Sequence, residues 1–310
     1  MRLTDLVLDN VPWKKQILRS GAALPPNLRT NFVSRSLCAL ARRSGEKSDV
    51  ETNMGIDRQL KCLLPLDKEG WIFGLPEHYL GERGALELVA ALGSRANAVL
   101  DIGAHVGYYT YFLAKRLPGS IPIFFFEPDP VLYSIIEKNV LRNRLTNVSG
   151  FKQAMGARSE VACFYQNLTD SFSGSLEADF VGKHATQKID VEVCPFDDFS
   201  SALGKQNLCV KVDIEGAEQQ FVDGAASEWW RISDLVIEVL GPAVAAGFIQ
   251  KLIQSSGMSA YYINDYTLIP SVDGAFAYKN LQYNWLFTRK SDAELTYALG
   301  GTPLKVQSRL

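Results

Sequence analysis

Short apolar runs alternate with amphipathic segments from residue 99 onward, and this alternation is the clearest structural signal in the chain. A short apolar run is typical of a buried strand, whereas apolar positions three or four residues apart are typical of a helix. Strands that alternate with helices favour an α/β fold with a parallel sheet. The pattern first predicts strand 99–102, helix 108–117, strand 121–126, helix 130–142 and strand 148–153.

The second half of the chain continues the alternation after a polar interruption. Residues 160–195 are richer in polar side chains, and we expect an antiparallel excursion there with a loop over the ligand-binding face. Strands resume at 208–213 and 234–239, followed by a helix over 243–255 and a closing pair of strands at 259–264 and 284–288. The pattern therefore predicts a seven-stranded, mostly parallel sheet with helices on both faces and an antiparallel last strand.

The residues before the sheet differ in charge and pattern. Residues 1–57 are predicted to be a basic, partly helical N-terminal extension, because Pro25-Pro26 divides them and apolar positions at helical spacing follow over 33–41. A basic amphipathic helix can lie on an anionic membrane, although it more often packs on its own domain or on a partner subunit. The remaining predicted parts are a main domain over 58–290, opening with a hairpin over 58–75 and a helix over 84–92, and a C-terminal tail over 291–310.

Composition narrows the class of protein. With 310 residues, 47% of them hydrophobic, the chain can bury one large α/β core plus an extension. A net charge of -2 gives no general attraction for nucleic acid. The 5 cysteines have no short paired spacings and indicate reduced thiols rather than disulfides or a zinc site. Because the N-terminus lacks a signal-peptide pattern and no apolar run has membrane-spanning length, we expect a cytoplasmic protein.

A glycine-rich turn follows the first predicted strand of the sheet. Asp101 is followed by Gly103 and Gly107, which have no side chains to block a ligand. The dinucleotide fingerprint would need glycines at the positions of His105 and Tyr108, so a pyrophosphate has no room. The observed glycine spacing is instead typical of sites for S-adenosylmethionine (SAM), whose cationic sulfonium is compatible with a nearby carboxylate. A purely structural strand-to-helix turn is the alternative.

A second acid stands at the end of the second predicted strand. Glu127 follows the apolar run 121–126 and precedes Pro128, at the spacing of a strand-helix-strand unit. In such a unit the tip of the second strand lies beside the first turn, where a carboxylate can accept hydrogen bonds from both hydroxyls of a ribose. A solvated acid at a strand end is the alternative, but the two motifs in register indicate a nucleoside site.

A third motif, Lys211-Val212-Asp213-Ile214-Glu215-Gly216-Ala217-Glu218, places acids and a glycine after another apolar run. Together with residues 99–107, Phe126-Glu127-Pro128 and Ala154-Met155-Gly156, it resembles the FkbM-type SAM-dependent methyltransferases over residues 95–290. The resemblance implies a class I, Rossmann-like methyltransferase fold and O-methylation of a hydroxyl on a sugar, a glycan or a natural product. His105 stands where the family more often has Asn. The motifs and the resemblance together predict SAM contacts from Asp101, Gly103, Ala104, Gly107, Glu127, Ala154 and Met155.

Methyl transfer to a hydroxyl group is helped by a nearby base, because a protonated hydroxyl is a poor nucleophile. Asp213 and Glu238 are candidates, since both stand at the carboxyl ends of predicted strands. Asp213 could instead orient the ligands, bind a metal ion or make structural hydrogen bonds; we expect no metal. His105 is a third candidate base, with a turn-fixing role as the alternative. Glu215 and Glu218 are explained by the favourable dipole at a helix start, and we expect Glu218 to be structural.

Two other function classes compete with an enzyme of this kind. A non-catalytic protein of the same fold could bind a partner through the basic extension, and turnover of SAM separates it from the enzyme. A nicotinamide oxidoreductase is disfavoured by the residues at the glycine positions and by the acids over 213–218. For the enzyme we expect a small-molecule or glycan acceptor, no nucleic acid partner and a possible homo-oligomer.

Overall fold

The computed structural model describes most of the chain from residue 82 onward and short segments before it. The described residues are 6–7, 49–52, 54, 56–65, 82–167, 174–181, 186–240, 243, 247–271 and 284–307. They group into two compact units, one from residues up to 80 together with 134–145, and the other from 81–133 together with 146–310. The helix predicted over 33–41 and the tip of the predicted hairpin, at 67–70, lie outside the described residues.

The first unit contains a three-stranded antiparallel sheet. Strands β1 (Leu6–Val7), β2 (Asp49–Thr52) and β3 (Cys62–Pro65) lie side by side in that order. The side chains of Asn139 and Asn143 each bind one backbone residue at β3, accepting from its N–H at 2.7 Å and donating to its carbonyl at 3.0 Å. Because an amide side chain carries both a donor and an acceptor, the two asparagines satisfy this strand edge much as another strand would.

The second unit is built on one nine-stranded sheet. Its strands are β4 (Ala98–Ile102), β5 (Ile123–Phe126), β6 (Val148–Phe151), β10 (Leu208–Val212), β11 (Ile232–Glu238), β12 (Ser259–Asn264), β13 (Thr267–Ser271), β14 (Asn284–Thr288) and β15 (Lys305–Val306). They lie in the order β15-β13-β12-β14-β11-β10-β4-β5-β6. The seven predicted strands are among them, and β14 is antiparallel to both neighbours, which confirms the predicted sheet.

Helices connect and cover these strands. They are α1 (Arg83–Gly93), α2 (Tyr108–Arg116), α3 (Pro130–Arg142), α4 (Ala178–Val181), α5 (Phe196–Leu203), α6 (Glu218–Gly224), α7 (Phe248–Ser256) and α8 (Asp292–Ala298). Helix α7 begins after Gly247, whose φ of 78° is left-handed. Residue 243, where the predicted helix starts, is also helical, and residues 244–246 lie outside the described residues. Within the described part of the chain, no helix is long and apolar enough to cross a lipid bilayer.

Two edge strands extend the sheet beyond the prediction. Strand β13 folds back onto β12 through a tight turn at Asp265, where φ is 49°, and β15 pairs with β13. Strand β15 and helix α8 come from the predicted C-terminal tail, and a capping box between Ser291 and Glu294 starts α8. A two-residue strand such as β15 carries no hydrophobic periodicity, so the sequence pattern could not reveal it.

A smaller sheet forms the predicted antiparallel excursion. Strands β7 (Ala154–Met155), β8 (Glu160–Asn167) and β9 (Thr186–Cys194) lie in the order β7-β9-β8, and β8 pairs antiparallel with β9 along its whole length. This pairing confirms the excursion predicted over 160–195. Residues 168–173 and 182–185, on which the predicted ligand-covering loop falls in part, are outside the described residues.

The order of the parallel strands reverses between β4 and β10. From β4 the chain builds β5 and β6 on one side, and it later returns to build β10 and β11 on the other side. In open α/β sheets, such a reversal leaves a crevice at the carboxyl ends of the two central strands, and ligands bind there. The residues that follow β4 and β10 therefore mark the candidate site.

Candidate active site

Four neighbouring strands end in a row of one glycine and three acids. The strand order β11, β10, β4, β5 places Glu238, Asp213, Gly103 and Glu127 at successive strand ends. The row therefore brings two predicted cofactor residues and two predicted bases to one edge of the sheet.

Gly103 allows the ends of β4 and β10 to approach each other closely. Its φ is 79°, and a Cβ atom at this position would lie 1.8 Å from the carbonyl oxygen of Asp213. The missing side chain thus makes room for a neighbouring strand end, whereas the sequence suggested room for a ligand. On the other side, the N–H groups of Gly103 and Ala104 both donate to the carbonyl of Phe126 at 3.0 Å. The turn is consequently fixed from both flanks of β4.

Gly107 ends the turn and begins helix α2. Its φ is 87°, and a Cβ atom here would lie 2.7 Å from the ring of Tyr111. As the N-cap residue of α2, Gly107 has no side chain with which to form a capping hydrogen bond. Since the first backbone N–H groups of a helix have no partner within the helix, this end can bind an anionic group such as a carboxylate.

His105 holds the turn through its backbone. Its φ of 54° lies in the left-handed region, and its N–H donates to Oε2 of Glu127 at 2.8 Å. Among non-glycine residues, Asn, Asp and His are enriched in this conformation, so His suits this position. These contacts support a turn-fixing role, and the role of His105 as a base stays a prediction.

Glu127 presents a buried and oriented carboxyl group. The residue is 4% exposed, and its Oε1 accepts from the N–H of Asp129 at 2.9 Å while Oε2 accepts from His105. Burial raises the pKa of Glu127 to about 8, although the two backbone donors lower it. A carboxylate offers about four lone-pair positions, so both oxygens can accept further hydrogen bonds. This geometry suits a pair of hydroxyl donors.

Lys211 lies at the centre of the site, although the sequence motif indicated no role for it. Its Nζ donates to the carbonyl of Gly103 at 3.1 Å and lies 3.5 Å from Oδ1 of Asp101 and 3.4 Å from Oδ2 of Asp213. Burial disfavours the ammonium form, but the Asp213 and Asp101 carboxylates outweigh burial and raise the pKa of Lys211. The available signal was a lysine inside an otherwise apolar strand, which must be paired to be buried.

Asp101 lies beneath the turn. It is fully buried, accepts a hydrogen bond from Oγ1 of Thr110 at 2.6 Å and pairs with Lys211. These partners show how the acid supports the turn. Direct contact between Asp101 and a cofactor stays a prediction.

Three acids cluster beside the turn. One carboxylate oxygen from each of Asp213, Glu215 and Glu238 lies within 4.8 Å of the others. Burial, followed by the charges of Asp213 and Glu215, raises the pKa of Glu238 well above its ordinary value, and a hydrogen bond with Asp213 adds to this. The pair can share a proton. Hard oxygen ligands at this spacing could also hold a divalent cation, so the expected absence of a metal stays a prediction.

Glu82 is a further acid that sequence reasoning did not identify. Its Oε2 accepts from the hydroxyl of Tyr109 at 3.1 Å, and the ring of Tyr109 lies 4.9 Å from Nζ of Lys211. The charge of Glu82 also contributes to the raised pKa of Glu238. Glu82 precedes α1 and belongs to no motif, so no local pattern marks it as part of the site.

Glu218 supports the loop between β10 and α6. It is 5% exposed, and its Oε1 accepts from the N–H of Gly216 at 3.1 Å. Burial raises the pKa of Glu218 to about 7, against the backbone hydrogen bonds that lower it. This contact agrees with the structural role expected for Glu218.

Ala154 and Met155 form β7, outside the row of strand ends. Both are buried, and they pair with the end of β9 at Val193 and Cys194. They follow β6, the neighbour of β5. The contact of Ala154 and Met155 with the cofactor stays a prediction.

The part of the chain that carries most of these site residues matches a known protein family. The sequence model of the methyltransferase FkbM domain matches residues 101–259, just over half of the chain. The matched segment begins at Asp101 and includes Glu127, Lys211, Asp213 and Glu238. The chain belongs to the FkbM methyltransferase family. By family membership it is a SAM-dependent methyltransferase, and its sheet is that of the class I fold.

The following relatives share only a low sequence identity with this FkbM family member. Methyltransferase 1 of Beauveria bassiana is 24% identical over 52% of this chain and 72% of its own length. The 31-O-demethyl-FK506 methyltransferase FkbM of Streptomyces tacrolimicus is 24% identical over 58% of this chain and 76% of its own length. The crystal structure of methyltransferase FkbM from Methylobacillus flagellatus superposes with a TM-score of 0.41 and 15% sequence identity. The matched region covers 62% of this chain and 43% of the Methylobacillus chain.

The site of this FkbM family member fits the chemistry of SAM. The start of α2, where the N-cap residue is a glycine, suits the carboxylate of the methionine part, and the oxygens of Glu127 suit the ribose hydroxyls. These hydrogen-bonding groups, the N–H groups of α2 and the oxygens of Glu127, lie where the strand order reverses.

Proposed function

We propose that the protein transfers a methyl group from SAM to a hydroxyl group of a sugar, a glycan or another natural product. The observation that carries the proposal is the division of the acids at the strand-order reversal. Glu127 lies on one side of Gly103, and Asp213 and Glu238 lie on the other. One side thus suits the cofactor, and the other suits an acceptor whose proton must be removed.

On the cofactor side, the chain supplies hydrogen-bonding groups that are already oriented. Glu127 would hold the ribose, and the first turn of α2 would hold the amino-acid carboxylate. Because the backbone contacts of His105 and Phe126 fix the turn between them, little reorganisation is needed on binding. SAM supplies the electrophilic methyl group when bound.

On the acceptor side, Asp213 and Glu238 act as one proton-accepting pair. The raised pKa of Glu238 and its hydrogen bond with Asp213 favour Glu238 as the holder of the shared proton. Asp213 then presents its carboxylate, paired with Lys211, for the proton of the acceptor hydroxyl. Interacting groups of this kind titrate together, so the pair is one functional unit.

The acids also favour an acceptor without negative charge near the reacting hydroxyl. Glu82 and Asp213 act on Lys211, and the charges of Glu82, Asp213 and Glu215 also act on Glu238, so acids predominate among the described groups of this side. An anionic group beside the acceptor hydroxyl would be repelled. The name of the Streptomyces relative, a 31-O-demethyl-FK506 methyltransferase, supports an oxygen atom as the methyl acceptor.

A panel assay tests the proposal. The purified full chain is incubated with methyl-labelled SAM and neutral sugars, glycans and polyhydroxylated natural products, and mass spectrometry locates the label. We expect label on a hydroxyl oxygen of at least one neutral acceptor. Tight binding of NAD without binding of SAM would overturn the proposal. Binding of SAM without transfer to any acceptor would favour the non-catalytic scaffold. The cytoplasmic location and the homo-oligomer stay predictions.

A further inference from the structure

Lys211 is buried in the middle of the sheet. It belongs to β10, in which all five residues are buried, and its own side chain is 6% exposed. Burying an ammonium group without partners costs so much that the group normally loses its charge. The charge of Lys211 is instead favoured by its carboxylate neighbours.

The partners of Lys211 come from separate parts of the chain. Its Nζ donates to the carbonyl of Gly103 in the turn after β4, pairs with Asp101 inside β4 and pairs with Asp213 at the end of β10. It also lies over the ring of Tyr109 in α2, at 4.9 Å. One ammonium group therefore joins the turn on the cofactor side to the acid on the acceptor side.

The surrounding charges are mainly negative. The described acids that act on Lys211 or on the Asp213–Glu238 pair are Asp101, Glu82, Glu127, Glu215 and Glu218. Lys211 interacts directly with three of these acids, Asp101, Glu82 and Glu127. Its removal would leave the pair with a stronger hold on its proton, because like charges favour the protonated form.

We propose that Lys211 is a positioning residue that fixes the Gly103 turn and the Asp213 carboxylate in one arrangement. The inference rests on the proposed function, which assigns the turn to SAM and the acid to the acceptor. Lys211 acts through these two groups and not on the reacting atoms. Loss of its contacts should therefore change both cofactor affinity and the pH at which the acid pair titrates.

The matched comparison is between two lysines on the same sheet. Lys290 pairs with the buried Asp234 of β11, which precedes the carboxyl end of that strand at Glu238. Lys211→Met and Lys290→Met each remove one ammonium group from a buried acid. We expect both variants to have a lower Tm than the wild type. Only Lys211→Met should bind S-adenosylhomocysteine (SAH) at least tenfold more weakly in calorimetry at a temperature where every variant is folded.

The second measurement is the ratio of SAM affinity to SAH affinity as a function of pH. SAM carries a positive charge that SAH lacks, so the ratio reports the charge of the nearby acids. We expect the transition in this ratio to move up by at least one pH unit in Lys211→Met and to stay in place in Lys290→Met. A residue that only stabilises the fold would lower the Tm and move neither the affinity nor the transition.

Lys211→Arg keeps the test decisive if Lys211→Met does not fold. The guanidinium retains the charge but cannot reproduce the contacts of a compact ammonium. We expect weaker SAH binding with the transition at its wild-type pH. Wild-type affinity in Lys211→Arg, or in Lys211→Met, would overturn the positioning role. Failure of the wild-type protein to bind either SAM or SAH would instead overturn the proposed function.

Discussion

The backbone N–H of His105 donates a hydrogen bond to Oε2 of Glu127 at 2.8 Å, across 22 positions of the sequence. This bond connects the turn after β4 to the end of β5. Glu127 therefore has two tasks, since the carboxyl that suits the ribose also holds the turn that suits the rest of the cofactor. A change at Glu127 affects both.

Glu127→Ala should weaken SAM binding by on the order of 1 to 3 kcal/mol, because the hydrogen bonds between the ribose and the carboxyl group of Glu127 are lost. Calorimetry measures the effect. Glu192→Ala is the control, since Glu192 is an exposed acid of β9 that accepts a hydrogen bond from Gln153. Equal SAM affinity in Glu127→Ala and the wild type would remove Glu127 from the cofactor site.

The ligand-free protein should lose stability as the pH rises from 5 to 9. Glu127 and Glu218 have folded-state pKa values of about 8 and about 7, and that of Glu238 is also raised, against an ordinary value of 4.5. Between these values the folded state binds more protons than the unfolded state. The stabilisation is therefore complete below about pH 4.5 and is lost as the pH passes the folded-state values.

Calorimetric unfolding as a function of pH checks this sign. Glu218→Gln is the diagnostic variant, because the amide oxygen can still accept from the N–H of Gly216 but cannot ionise. We expect a smaller fall in Tm between pH 6 and pH 8 in this variant than in the wild type. A Tm that rises over this range in the wild type would show that the buried acids are ionised in the folded protein.

Gly103→Ala should destabilise the fold and impair SAM binding. The new methyl group would meet the carbonyl oxygen of Asp213 at 1.8 Å, in a backbone conformation with φ of 79°. Strain and overpacking together cost about 2 to 5 kcal/mol. Gly119→Ala provides the control, because a Cβ atom at Gly119 meets nothing within 4 Å among the described residues. Similar stability of the two variants in chemical denaturation would contradict the close contact.

Methyl transfer should survive exhaustive chelation. The acid cluster could bind a divalent cation, but Asp213 already has a positive partner in Lys211 at 3.4 Å. The assay compares initial rates on an acceptor from the panel before and after treatment with a chelator. If the chelator stops turnover and magnesium restores it, Asp213, Glu215 and Glu238 are metal ligands. The proposal that Asp213 and Glu238 accept the proton as a pair would then be wrong.

Asp213→Asn should lower kcat by on the order of a hundredfold or more, while SAM affinity changes far less. The amide keeps the shape of the side chain and removes its charge. Asp223→Asn, in which the changed acid hydrogen-bonds only to Gln219 among the described contacts of α6, is the matched control. A normally folded Asp213→Asn enzyme with wild-type kcat would make Glu238 or His105 the next candidate base.

The sequence predicted those parts of the molecule that local patterns determine. Apolar runs are long enough to mark each of the seven predicted strands, and the right-handed crossover rule then favours a parallel arrangement. The positions of Gly103, Glu127 and Asp213 followed from the strand ends. Strands β13 and β15 were not predicted, and of these the two-residue β15 has no readable pattern.

The parts that the sequence did not reveal depend on contacts between distant segments. The pairing of Lys211 with Asp101 joins residues from two strands, and Glu82 reaches the site from a segment without a motif. The reason for glycine at position 103 also differs from the expected one, because the neighbour that excludes a side chain is Asp213. Side-chain geometry of this kind has no signature in hydrophobic periodicity.

The turn after β4 has consequences for the order of events during synthesis. Its contacts with Phe126 and Glu127 become available early, but the contact with Lys211 requires the chain to be translated to a position 108 residues beyond Gly103, and Asp213 follows it. A nascent chain that has not yet produced β10 holds the complete glycine motif without the surroundings that fix it. At the proposed cofactor site, we therefore expect SAM to bind only after the chain has returned to the centre of the sheet.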